Sequence, residues 1–212
     1  MKRRAAIFIS GRGSNMEALL DAMADPAYPA EAALVFSNNP DAAGLAHAAS
    51  RGVATAAIDH RPYQGDRAGF EAAIQDVMEA HRIDLICLAG FMRILTADFV
   101  QNWLDRMVNI HPSLLPSFKG LDTHARAIAA GVAFHGCTVH LVRPAMDDGP
   151  ILGQAALART GGESEGDLAA RVLKLEHQLY PAALSAYLNS EINLIDGAIV
   201  PAPLALGALQ GN

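Results

Sequence analysis

Residues 5–24 read AAIFISGRGSNMEALLDAMA. A short apolar run, AAIFIS, is cut off by the glycines of GRGSN, and MEALLDAMA then carries apolar residues at helical spacing. A buried strand thus feeds a glycine turn that opens an amphipathic helix. The same alternation continues outward. AALVFSNN (32–39) is a second apolar run, followed by the Ala-rich DAAGLAHAASRG (41–52), which Gly52 ends. VATAAID (53–59) is a third run, and DRAGFEAAIQDVMEAHR (66–82) is a long amphipathic helix. IDLICLAG (83–90) is the most apolar strand, TADFVQNWL (96–104) a shorter helix and RMVNIH (106–111) a fifth strand. Continuous apolar strands separated by helices predict an α/β fold, a Rossmann-like, mostly parallel twisted sheet with helices on both faces.

After residue 130 the pattern changes. HGCTVHLV (135–142) and GPILGQAAL (149–157) predict neighbouring antiparallel strands, and SEGDLAARVLKLEHQLYPAALSAYL (164–188) predicts a long closing helix. Residues 189–212, rich in Ala, Leu, Pro and Gly, are expected to form a loosely packed tail. Without repeats or an interdomain linker, residues 1–212 are expected to form one domain.

Composition narrows the function classes. Apolar residues make up 51%, charged residues 18% and aromatics 6%, as in a globular chain with a full core. The net charge is -6, and Lys and Arg are scattered after the opening KRR, so no basic face offers itself to nucleic acid. No window approaches the roughly 18 apolar residues that span a bilayer. AAIFIS is also too short for a signal-peptide core, so no membrane partner and a cytoplasmic location are expected. Cys87 and Cys137 lie inside apolar runs and read as structural thiols of a reducing compartment.

In such sheets ligands bind beyond the carboxyl ends of the strands, which lines GRGSN, SNN, LAGFMRIL and NIHPSLLP along one rim. The backbone of GRGSN, with Ser14 and Asn15, suits an anion; equally it is a glycine-bearing helix cap with no ligand. Met16 stands where a dinucleotide fingerprint needs its third glycine. The second strand ends in Ser37 and Asn38 where that fingerprint needs an acid, so no NAD is expected.

Asn109 and His111 are two apart at a strand end, so both project to one side while Ile110 turns inward. The amide can donate to an oxyanion, and the imidazole can donate when protonated or take a proton when neutral. The plain alternative is an Asn that caps a turn beside a His bonded to backbone. MDDGP (146–150) places Asp147 and Asp148 in a loop, where a carboxylate near His111 would hold its imidazolium; Asp-Gly is also an ordinary turn pair. In LAGFMRIL, Phe91, Met92 and Ile94 either line an apolar slot or begin the next helix, and Glu176 reads by default as part of a solvated helix face. His111, His124, His135, His140 and His177 come without a Cys pair or HExxH, so no metal is expected. A nucleophile elbow and a Walker loop are also missing.

GRGSN, FSNN, LAGFMRIL, NIHPSLLPSFKG, HGCTVH, MDDGP and LEHQLYP together, in this order and spacing, resemble the phosphoribosylglycinamide formyltransferases over residues 5–188. These are folate-dependent enzymes of purine biosynthesis. LAGFMRIL and NIHPSLLP are specific to folate formyltransferases, and the GSN loop and LEHQLYP narrow the resemblance to this member. It implies that the amine of glycinamide ribonucleotide attacks the formyl carbon of the cosubstrate 10-formyltetrahydrofolate. Asn109, His111 and Asp147 would then be the catalytic set, with Asn109 and protonated His111 on the oxyanion and Asp147 behind His111, ordering the relay water.

By the same resemblance Gly13, Ser14 and Asn15 hold the ribose phosphate, Pro112 borders the ribonucleotide and Glu176 accepts its ribose hydroxyls. Met92, Arg93, Ile94 and Leu95 line the pterin, with Asn109, Arg143, Ala145 and Met146 also on the folate and Arg67 near its glutamate tail. Residues 1–110 become the phosphate-binding half and 111–188 the folate-binding and catalytic half, with a cis Leu115–Pro116 bond. Asp122 replaces a family His in KGLDTH, and Asp148 stands where Gly or Ala is usual; register assigns the catalytic role to Asp147. A formyltetrahydrofolate deformylase would carry an extra N-terminal domain, for which a strand starting at residue 5 leaves no room. A methionyl-tRNA formyltransferase would need a C-terminal RNA-binding domain and a basic surface. A non-catalytic folate or nucleotide binding module is the remaining alternative. The expected partners are the two small molecules, ribonucleotide and folate, and a chain of this length is expected to be a monomer or, through its outer sheet edge, a homodimer.

Overall fold

The computed structural model describes residues 2–208. Two compact units divide the chain, residues 1–109 and 110–212. The first unit holds β1 (Arg3–Ile9), α1 (Ser14–Met23), β2 (Ala30–Ser37), α2 (Ala43–Ser50), β3 (Thr55–Ala57), α3 (Arg67–Ala80), β4 (Leu85–Leu88) and α4 (Ala97–Asn102). β5 (Met107–His111) begins in it and ends in the second.

β1 pairs in parallel with β2 on one side and β4 on the other; β2 continues to β3 and β4 to β5, all parallel. Ala5 to Ile9 are fully buried, and so are Leu34, Val35 and Phe36, as expected of strands covered on both faces. The strand order reverses between β1 and β4. Right-handed crossovers running in opposite directions from that point put their helices on opposite faces, and the carboxyl ends of β1 and β4 flank the crevice where such sheets bind ligands.

The second unit holds α5 (Thr123–Ala129), β6 (Phe134–Leu141), β7 (Ile151–Ala158), α6 (Glu165–Leu188), β8 (Asn193–Ile195), β9 (Ala198–Val200) and β10 (Leu204–Ala208). β6 and β7 run antiparallel, with a register irregularity between Val139 and His140. A Cβ on Gly136 would collide with the Ala155 carbonyl, so the two backbones approach closely only because position 136 is glycine. α6 starts at a capping box of Ser164 and Asp167 and buries Leu168, Val172, Leu179, Tyr180, Ala183 and Leu184 against β6 and β7.

Several expectations need correcting. The tail is not loose over its described part. Its Asp196 and Gly197, both left-handed, turn the antiparallel hairpin β8–β9, as an Asp-Gly pair does between alternating apolar residues. β10 then pairs in parallel with β7 from Leu204 to Ala208. Residues 209–212 of the expected tail lie outside the described residues. The third apolar run forms only the three-residue β3, and α5 was not foreseen. Both cysteines are free and buried. Among the described residues no helix is long and apolar enough to cross a membrane.

Candidate active site

In the first unit the chain leaves β1 through Ser10 to Gly13 and enters α1 with Gly13 left-handed (φ 78°) at the cap. Glycine supplies no side-chain acceptor there, so the first turn of α1 has no side-chain cap, an arrangement chemically suited to an anion. The loop is held from below by α2. The Gly44 amide donates to the Gly11 carbonyl (3.1 Å), and a Cβ on Gly44 would come within 2.9 Å of the Arg12 carbonyl. Ser14 is half-buried and Asn15 buried.

Beyond β4, the segment from Gly90 to Thr96 has no regular structure. It does not start the next helix: α4 begins at Ala97, with the Thr96 hydroxyl accepting from the Phe99 amide. Phe91 is not exposed either, since its ring packs edge-on to Phe8 at 5.2 Å. Met92 and Ile94 are exposed (67% and 65%), Arg93 is exposed and Leu95 half-buried. An apolar pair held out on an irregular, anchored backbone is a surface a flat heterocycle can lie on. Arg67 is exposed at the start of α3.

In the second unit, His111 is buried at the end of β5, the strand that also carries half-buried Asn109. Its Nδ1 stands 3.6 Å from Asp147 Oδ2, and its Nε2 lies 3.0 Å from the Phe118 carbonyl oxygen. Both ring nitrogens therefore face oxygens: Nε2 is within hydrogen-bond reach of its carbonyl, while Nδ1 and Asp147 stand at ion-pair rather than hydrogen-bond distance. Asp147 takes a left-handed backbone (φ 50°), and its Oδ2 also accepts from the Gly120 amide at 2.8 Å. Asp148 turns the other way, to an exposed ion pair with Lys119 that holds its carboxyl below the usual range. Of the two neighbouring acids, geometry puts Asp147 beside His111.

Three further residues border this corner. His140 Nε2 is 3.9 Å from Asp147 Oδ1, too long for a hydrogen bond, while its Nδ1 meets the Leu141 carbonyl oxygen at 3.0 Å. Burial depresses the His140 pKa, against the upward pull of that carbonyl and of Asp147. Thr138, also on β6, donates to the Ser113 carbonyl (2.7 Å) and accepts from the Leu115 amide (3.0 Å). Gln154 on β7 donates to the Leu115 carbonyl (2.9 Å). The loop that follows His111 is thus tied to β6 and β7, with Leu115–Pro116 cis and Pro112 half-buried.

Glu176 is buried in α6 rather than on a solvated face, close enough to Cys137 that its charge adds to burial in raising that thiol's pKa. Arg143 is half-buried, and Ala145 and Met146 are exposed in the loop before Asp147. His135 is buried against His124 (3.1 Å between ring nitrogens). Burial first, and then His124, push its pKa down to about 4. Asp122 caps α5 with a left-handed backbone and no side-chain capping hydrogen bond. Among the described residues no group of three or more His, Cys, Asp or Glu is placed to hold a metal ion.

The expected residues fall into two sets. Gly13, Ser14, Asn15, Arg67, Met92 to Leu95 and Asn109 belong to the first unit, and His111, Pro112, Arg143, Ala145, Met146, Asp147 and Glu176 to the second. Ser10, Glu71, Thr138, His140 and Gln154 were not foreseen; alternation along β6 is the one signal that pairs positions 138 and 140 on one face.

Residues 3–184 match the family described as formyl transferase. The human trifunctional purine biosynthetic protein adenosine-3 is 45% identical over 91% of this chain, which spans only 19% of that protein's length. Phosphoribosylglycinamide formyltransferase of Escherichia coli K12 is 37% identical over 91% of this chain and 90% of its own. Among solved structures, phosphoribosylglycinamide formyltransferase from Anaplasma phagocytophilum superposes with a TM-score of 0.88 at 39% identity, covering 98% of this chain and all (100%) of that one.

Proposed function

The chain belongs to the formyl transferase family, and on that premise we propose that it moves a formyl group from 10-formyltetrahydrofolate to the amine of glycinamide ribonucleotide, a step of purine biosynthesis. The observation that carries the reading is the His111–Asp147 contact at 3.6 Å on the strand that bears Asn109. The names of the relatives supply the acceptor and the pathway: phosphoribosylglycinamide for the bacterial enzyme and purine biosynthesis for the human protein. A cytoplasmic monomer or homodimer belongs to the same reading.

The cosubstrate supplies an activated one-carbon unit. The amine adds to its formyl carbon, and the adduct collapses by breaking the bond to the folate nitrogen. The proton given up by the amine passes to that nitrogen, leaving formylglycinamide ribonucleotide and tetrahydrofolate. The remaining steps fall to this chain's own groups. Asn109 donates its amide hydrogen to the oxygen that gains charge as the amine adds. His111 places a cation beside that oxygen. Its Nε2 rests on the Phe118 carbonyl in the structure, so donating to substrate exchanges that carbonyl for the reacting oxygen. Asp147 balances the imidazolium charge, and the Gly120 amide fixes one of its oxygens so that the carboxylate keeps its aim. Gly13, Ser14 and Asn15 bind the ribose phosphate, and Glu176 takes the ribose hydroxyls with its two oxygens. Met92, Ile94 and Met146 offer apolar contact to the pterin, and Arg67 meets the anionic glutamate tail.

The test follows folate release from a 10-formyl folate analogue with and without glycinamide ribonucleotide. Release only with the ribonucleotide supports the transferase. Release without it means a hydrolase on the same site, and no release in either case leaves a binding module.

A further inference from the structure

We infer that Glu71 is a positioning residue for folate: its buried carboxylate clamps Thr96 and, with Ser10 at the other end, fixes the conformation of the 91–95 segment. The inference rests on the reading of that segment as the pterin wall.

The segment has no helix or strand hydrogen bonds of its own, so its shape must come from its ends. At the front, the Ser10 amide donates to the Gly90 carbonyl (3.1 Å) and the Ser10 hydroxyl accepts from the Met92 amide (2.7 Å). That hydroxyl is itself oriented by donating to Asn38 Oδ1 at 2.5 Å. At the rear, Glu71 Oε1 accepts from the Thr96 amide (2.7 Å) and Oε2 accepts from the Thr96 hydroxyl. Both oxygens of one carboxylate are spent on a single residue.

Capping α4 does not explain that arrangement. The Thr96 hydroxyl already accepts from the Phe99 amide, so the helix has its cap without Glu71. Nor is Glu71 a solvated surface acid, for it is 5% exposed. A carboxylate taken out of water costs stability unless charge-assisted hydrogen bonds answer it, and here they answer it through the peptide that closes the folate segment. What Glu71 adds is the orientation of the Leu95–Thr96 peptide, and with it the outward presentation of Met92 and Ile94. Arg67 stands four residues earlier on α3, on the same side of the helix. One rigid helix then mounts both the anchor of the pterin wall and the cation proposed for the folate tail.

Glu71→Gln keeps the volume and one acceptor but replaces the second with a donor. Steady-state kinetics of the full chain should show the Michaelis constant for the formyl folate rising roughly tenfold. Turnover at saturation should stay within about threefold and the constant for the ribonucleotide should hold. Glu71→Asp, one methylene short, should give a smaller loss of the same kind, and it serves if the Gln variant does not fold. Thr96→Ser retains both groups and should behave as wild type, whereas Thr96→Val should weaken folate and make a further Glu71→Gln change nearly silent. Titration of a 10-formyl folate analogue into each protein reads binding without turnover. An unchanged analogue affinity in Glu71→Gln, or equal weakening of both substrates, overturns the positioning role and leaves the functional reading standing. A wild-type protein that binds no folate analogue overturns the functional reading, and the positioning role with it.

Discussion

Replacing Asp147 by Asn tests the charge behind His111 with little collateral damage. The backbone at 147 is left-handed (φ 50°), a conformation Asn tolerates as well as Asp, and an Asn oxygen can still accept from the Gly120 amide. What disappears is a negative charge 3.6 Å from His111 Nδ1. At an effective dielectric near 20, a full charge pair at that separation is worth about 4–5 kcal/mol. The Asp147 side chain is 12% exposed and the charges are delocalised, so about 3–4 kcal/mol should reach the transition state, a loss of roughly 100- to 1,000-fold in turnover. The assay is folate release at saturating concentrations of both substrates. Asp148→Asn is the internal control, since its partner Lys119 lies in an exposed pair, and its turnover should stay within about twofold of wild type. Turnover within threefold of wild type for Asp147→Asn, or a larger loss for Asp148→Asn, would refute the assignment.

Three other outcomes are expected. Glu176→Gln should raise the Michaelis constant for the ribonucleotide by roughly 10- to 100-fold, since hydrogen bonds to a charged group are worth about 1.5–3 kcal/mol each, and leave that for folate unchanged; equal weakening of both substrates would contradict its role. Thr138→Val should leave the Ser113 carbonyl and the Leu115 amide without their buried partner, costing about 2–4 kcal/mol, and a fall of less than about 3 °C in Tm would contradict the cradle. Folded His135 titrates near 4, below its ordinary 6.5, so an unfolded chain takes up a proton between those values that the folded chain refuses. Stability should therefore fall as pH drops from about 7 toward 4, by up to about 3 kcal/mol from this group, and level off below. His124 and His140, also pulled down by burial, act in the same direction. Urea midpoints at pH 7.5 and 5.5 should separate less in His135→Gln than in wild type, and an equal separation would remove His135 as a cause.

Strands buried on both faces announce themselves as unbroken apolar runs. Ala5 to Ile9 and Leu85 to Leu88 could therefore be placed from composition alone, and the antiparallel pair of β6 and β7 followed from their proximity. Short or half-exposed elements leave no such signature. In β3 alternate residues face solvent, and α5 is a seven-residue helix between two loops. The tail misled for a different reason. Its Ala, Leu, Pro and Gly content suggested looseness, while the Asp196–Gly197 pair between Leu194–Ile195 and Ala198–Ile199 was a hairpin signal that composition obscured.

At the site, the groups proposed to meet substrate were legible and those that hold them were not. Asn109 and His111 could be paired because strand alternation is a rule about neighbours, but Asp147 and Asp148 are equivalent to any rule of spacing. What separates them is a backbone turn. The left-handed conformation at 147 aims one carboxylate at His111, and the next residue then faces Lys119. Glu176 misread, and Glu71 passed unnoticed, for the complementary reason, since a helical Glu is usually solvated and only the tertiary neighbours show that it is not. A buried acid must be answered by hydrogen bonds or a cation, and the groups that answer it come from distant parts of the chain: Thr96 answers Glu71, and Gly120 and His111 answer Asp147. The same desolvation that hides these acids from sequence reasoning makes each of them sensitive to isosteric neutralisation. Asp147→Asn and Glu71→Gln should therefore part company in kinetics, the first lowering turnover and the second raising only the folate constant. Identical profiles for the two would mean that both merely stabilise the fold.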